Sequence, residues 1–144
     1  AGTTDLVGEK LTAAALDASL SQVTLPPKTL PVCTVAVDDT GGGTPGYVLL
    51  LEGESAESEK VARALDASLQ QHFHYQLARN LEQLAPLRCV IHPDMRERYL
   101  QQCRERGMIE GNIKMESLQY WPGELPVWLR HSQASARAVG EAVL

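Results

Sequence analysis

An α+β domain, a small mostly antiparallel sheet with helices packed on it, is predicted by three features of the sequence. A β-branched run at residues 32–37 faces a second run, YVLLL, across a glycine-rich turn. Val61, Leu65 and Leu69, spaced by four, mark the buried stripe of a helix. The elements then follow in the order helix, strand, strand, helix, strand, helix, strand, with no internal repeat, and this order places helices over one sheet. The 144 residues suit a single core. We read 1–144 as one domain, with a core over 4–120 and a loop plus terminal helix or tail over 121–144.

Along the chain, Gly8 interrupts any helix, so residues 5–10 read as a loop or short strand. Thr12 precedes AAALDASL, a capping residue before strong helix formers, which predicts a helix at 12–20. TLPPKTLP is a proline-punctuated linker, and DDTGGGTPG supplies the hairpin loop at 38–46. Ser55 caps a helix at 56–71 whose first turn holds Glu57 and Glu59, near the positive end of its dipole. HFHYQLARNLEQL continues helically or after a short break, and PLRCVI is a strand. His92-Pro93-Asp94 starts a helix at 94–106, with Met95, Tyr99 and Cys103 on one face and Gly107 as its cap. A last strand covers 113–120, and WPGELPVW is loop-like.

Composition excludes several function classes. A formal charge of −5 lacks the basic footprint of nucleic-acid binding. No apolar stretch nears the ~20 residues that cross a bilayer. Cys33, Cys89 and Cys103 are widely spaced without a CxxC pair, so they read as free, buried thiols in an intracellular, reducing environment. The chain lacks an initiator Met and opens on Ala1-Gly2, which reads as an excised domain with a tag remnant. Targeting signals would then lie upstream.

Thr40-Gly41-Gly42-Gly43-Thr44 leads into Pro45 and a strand, so it reads as a turn; a phosphate loop opens onto a helix. His72, His74, Cys89 and His92 do not share a face, and no metal site is expected. Arg96, Arg98, Arg104 and Arg106 alternate with Glu97 and Glu105, the pattern of a solvated helix face. Lys10 follows Gly8 and Lys114 follows Gly111 by short steps. A lysine on such a turn is a mobile point charge suited to an anion.

Thr4-Asp5-Leu6-Val7-Gly8-Glu9-Lys10-Leu11 is similar to the opening of the C-terminal domain in the auxin-responsive acyl-acid amido synthetases, the Gretchen Hagen family. Pro45-Gly46-Tyr47-Val48-Leu49-Leu50 resembles the family's strand after the hairpin loop. His74-Tyr75, Asn80-Leu81 and Leu84-Ala85-Pro86-Leu87-Arg88 resemble its paired-Tyr helix and next strand. Tyr99-Leu100, Arg106-Gly107 and Gly111-Asn112-Ile113-Lys114 resemble its terminal glycine and lysine pattern. The blocks keep family order over 4–114, and the leucine- and alanine-rich character looks most like the animal members.

The resemblance implies the mobile C-terminal domain of an adenylate-forming ligase related to firefly luciferase and the acyl-CoA synthetases, inactive by itself. In the full-length protein, ATP and magnesium would activate a carboxylic acid to an acyl adenylate, which an amine or amino acid then attacks. The implied partner is the protein's own N-terminal domain, with no magnesium site or phosphate loop in this chain. By the same resemblance Lys114 is the catalytic lysine, and Gly8, Glu9 and Lys10 form a cofactor-facing loop. One departure is that Met115 and Glu116 follow Lys114 where plant members have a nearby Pro. A degenerate member, kept as a noncatalytic ligand-sensing or protein-interaction domain, is the alternative.

Overall fold

The computed structural model describes residues 2–107 and 115–130. Two short strands, β1 (Thr3–Thr4) and β2 (Leu11–Thr12), pair antiparallel around the loop at 5–10. Thr12 caps α1 (Ala13–Leu20), its hydroxyl accepting the Ala15 amide at 3.0 Å. That bond satisfies one of the donors a helix leaves free at its start. β3 (Leu30–Val37) and β4 (Gly46–Glu52) form the expected hairpin, with Val35 opposite Val48 and a bulge between Pro31 and Cys33. Proline cannot donate to the ladder, and a bulge accommodates it.

α2 (Ser58–Leu69) starts later than its sequence suggests, because Ser55 Oγ accepts the Glu57 amide at 3.1 Å and so closes a turn before the helix. After a break, α3 (Phe73–Asn80) leads to β5 (Arg88–His92) and α4 (Met95–Glu105). Gly107, at φ 84°, ends that last helix, its amide donating to the Arg104 carbonyl at 2.9 Å. β6 spans Leu118–Trp121, shorter than the expected strand at 113–120, and a 3-10 turn follows at Val127–Leu129. Ile113 lies outside the described residues, as does the expected terminal helix or tail from 131 onward.

The α+β class holds, with helices packed on a sheet of order β5-β4-β3-β6, but the strand directions are mixed. β3 and β4 run antiparallel, whereas β4–β5 and β3–β6 are parallel pairs. The expected mostly antiparallel sheet is corrected at these two pairs. Turn chemistry reports a hairpin locally, while β5 takes its direction from the crossover through α2 and α3, and β6 from the return through α4.

The sheet is buried on both faces, which explains its uninterrupted apolar strands. Leu16, Val61, Leu65, Leu69 and Tyr75 pack with Leu49 and Leu51 on one face. Met95, Tyr99, Cys103, Trp121 and Leu129 pack with Val35 and Leu50 on the other. Each fully buried leucine contributes roughly 1.5–3 kcal/mol. The three cysteines are free and buried, and burial pushes the Cys33 and Cys89 thiols up to about 12. Arg96, Arg98 and Arg106 are exposed and Arg104 half-buried, as a solvated helix face would have them, yet two of them also stack on tryptophans. Arg98 stacks 4.0 Å from the Trp128 ring and Arg106 4.3 Å from that of Trp121, which ties β6 and the segment after it to α4 and its C-terminal end.

Gly53 ends β4 at φ 144°, and a Cβ there would sit 2.8 Å from the Lys28 carbonyl oxygen and 2.9 Å from Thr29 Cγ2. Both the dihedral and the close backbone demand glycine. Gly53→Ala is expected to destabilise the domain by about 2 kcal/mol in urea unfolding. A loss under about 0.5 kcal/mol would show that the linker at 26–29 yields freely.

Candidate functional site

The loop at 5–10 is built by its own carboxylates. Asp5 Oδ1 accepts the Gly8 amide at 2.7 Å, and Gly8 turns the chain at φ 103°. Glu9 points inward and is buried, accepting the Leu6 and Val7 amides at 2.8 Å each and the Tyr47 hydroxyl. Tyr47, itself buried on β4, also meets Thr4 Oγ1 at 2.8 Å. Burial first, and then the Glu9 hydrogen bond, hold the Tyr47 phenol well above the usual tyrosine range. The loop is thus latched to the central sheet.

Lys10 is the exposed end of this latch, held at φ 45°. A side-chain-bearing residue there costs roughly 1–2 kcal/mol of backbone strain, which the Glu9 latch maintains. Among the described residues Lys10 makes no ion pair. A cleft of about 310 Å³, lined by Thr3, Thr4, Asp5, Leu6, Asp38 and Tyr120, opens beside the loop. Its far wall is fixed by the Tyr120 hydroxyl donating to Asp38 Oδ2 at 2.6 Å.

The sequence-derived residues therefore separate. Gly8, Glu9 and Lys10 sit together on one loop, with Gly8 shaping it, Glu9 anchoring it and Lys10 exposed. Lys114 lies outside the described residues. The glycine turn is closed on itself, since Asp39 Oδ1 accepts the Gly41 and Gly43 amides at 2.8 Å each. Those bonds depress the Asp39 carboxyl below its ordinary value. His72 meets Ser19 Oγ at 3.2 Å and His92 meets Arg98 at 2.8 Å, so the histidines are dispersed. Among the described residues no three His, Cys, Asp or Glu side chains gather as metal ligands.

Sequence reasoning missed a buried cluster under the loop. Asp66 of α2 accepts the Tyr75 hydroxyl at 2.6 Å, Arg79 Nη2 at 2.9 Å and the Leu87 amide at 3.3 Å. Burial pulls the Asp66 carboxyl upward, but Arg79, Tyr75 and the amide outweigh it and leave the group below its ordinary range. The Tyr75 ring lies 6.2 Å from that of Tyr47, so the cluster abuts the latch. The available signal was a charge at Asp66 beside Leu65 and Leu69, with Tyr75 and Arg79 one turn apart on the next helix.

A mixed sheet covered by helices on both faces, with a latched loop at its N-terminal end, defines a small α+β domain. The model of the GH3 family C-terminal domain matches residues 11–122, and the chain belongs to this family. That match includes Lys114 and begins just after Lys10. Among solved structures, the chain is similar to a GH3.15 acyl acid amido synthetase, at 16% identity and a TM-score of 0.59 over 99% of this chain. At that identity the likeness is one of fold. The chain spans 24% of the length of that relative. No curated protein sequence matches the chain.

Proposed function

We propose that this chain is the mobile C-terminal domain of an acyl-acid amido synthetase-like ligase, inactive without the rest of its protein. The observation that carries this reading is the family match over residues 11–122, on a fold shared with an acyl acid amido synthetase. ATP and magnesium would be held by the N-terminal portion, supplying the phosphoryl charge and its neutralisation for carboxylate activation. This domain would close over the carboxylic acid, and then over the amine or amino acid, while excluding water. Lys10, presented by a loop that Glu9 and Gly8 shape, offers a positive charge for an anion brought close on closure. Lys114 is the proposed catalytic lysine. Buried free thiols support an intracellular, reducing setting.

Lys114→Ala in the full-length protein is expected to slow adenylate formation at least about tenfold while ATP binding is unchanged. Acid-dependent exchange of pyrophosphate into ATP, read beside nucleotide affinity, measures both. Unchanged exchange in an active protein would remove Lys114 from the chemistry. Glu116, two residues beyond, favours the second reading, a noncatalytic sensing or interaction domain, because it would screen the lysine. In that case no acid in a broad library supports exchange.

A further inference from the structure

Helix α3 buries Tyr75 and Ala78 and leaves its opposite side uncovered. There Phe73, Leu77 and Leu81 recur every four residues with 67%, 42% and 57% of their surfaces exposed. The Leu81 amide still donates to the Leu77 carbonyl at 2.9 Å, so the stripe is continuous. The exposed neighbours along the helix, His74, Gln76 and Asn80, bring no acidic or lysine or arginine charge to it, and the one acidic neighbour, Glu82, lies past its C-terminal end. An aromatic anchor in an apolar strip poor in charge is the composition of an interface centre.

We infer that this stripe docks on an apolar surface of the larger N-terminal portion of the same polypeptide. The inference rests on the ligase reading, in which this chain is one part of a longer protein; it spans 24% of the structural relative. Area favours this occupant over a second copy. The stripe offers on the order of 300 Å², taking ~200 Å² for a fully exposed side chain of this size. A stable contact between free molecules needs about 800 Å² from each partner. A tethered domain needs far less, because the linker holds it at an effective concentration in the millimolar range. A weak contact also suits a domain that must release and rotate.

The test is Leu77→Cys in both the full-length protein and this chain alone, reacted with a maleimide and read at residue 77 by peptide mass spectrometry. The chain's own thiols, Cys33, Cys89 and Cys103, are buried, so the introduced thiol is the accessible one here. Labelling should be at least about tenfold slower in the full-length protein, the protection of a contact formed nine-tenths of the time. Gln101→Cys, on α4 across the sheet, should change less than about twofold by the same population argument. Equal rates at position 77 in the two forms would overturn the inference, as would equal protection at positions 77 and 101. Concentration-dependent protection in the chain alone would assign the stripe to a second copy and overturn it too. Labelling needs no catalysis, so the two readings fail separately. Protection in a protein without exchange activity would sink the ligase and keep the contact, and activity without protection would do the reverse.

Discussion

Asp66→Asn is expected to lower the unfolding free energy of the domain by about 3 kcal/mol, the usual scale for breaking a buried ion pair by removing one partner. Arg79 donates to Asp66 through both Nε and Nη2, with only 18% and 10% of the two side chains exposed. An asparagine would leave the guanidinium without its counter-charge and turn an amide toward the Tyr75 hydroxyl or the Leu87 amide, which are themselves donors. Acid should reveal the same group. Its folded pKa is depressed, so its contribution is present above the unfolded value of about 3.9 and is lost as pH falls through the folded value. Wild-type stability should therefore drop as pH falls below about 4, and Asp66→Asn should flatten that limb. A loss under about 1 kcal/mol, with the acid limb unchanged, would show that α2, α3 and β5 are held by apolar packing alone.

Glu9→Gln is expected to release the N-terminal loop at a cost of about 2 kcal/mol, since two backbone amides and a phenol all donate to this carboxylate. A carboxamide has one acceptor oxygen and would set its NH₂ against a donor. The readout is tryptic cleavage after Lys10, which samples local opening. Two kcal/mol corresponds to roughly thirtyfold more opening, and cleavage should accelerate by about that factor with the melting of the main core little changed. Tyr47→Phe, which removes one of the three donors, should give a smaller increase. If cleavage in Glu9→Gln matches wild type, the loop is held by β1–β2 pairing and the latch is incidental.

The parts of this fold legible in the sequence are those decided within one turn of chain. Thr12 before an alanine-rich run, the glycines between two β-branched runs, and Gly107 after α4 each act through local dihedral preference or a neighbouring amide. Strand direction at β5 and β6 is set by how crossovers pack, which no local signal carries. The site divides the same way. Gly8 and Lys10 mark a turn by their residue types. The resemblance places Glu9 with them on a cofactor-facing loop, and only Tyr47, 38 residues away, turns it inward. Asp66 likewise finds Tyr75 and Arg79 through the packing of two helices.

The most direct measurement of the central claim is acid-dependent exchange of pyrophosphate into ATP across a carboxylic acid library. It would compare three preparations: the full-length protein, a form ending before this domain, and these 144 residues alone. If this domain is one moving half of a ligase site, the full-length protein exchanges with at least one acid. Removing the domain then slows exchange by about a hundredfold or more, and the 144 residues alone show none. Exchange at full rate without the domain, or adenylate formation by the domain alone, would contradict the account.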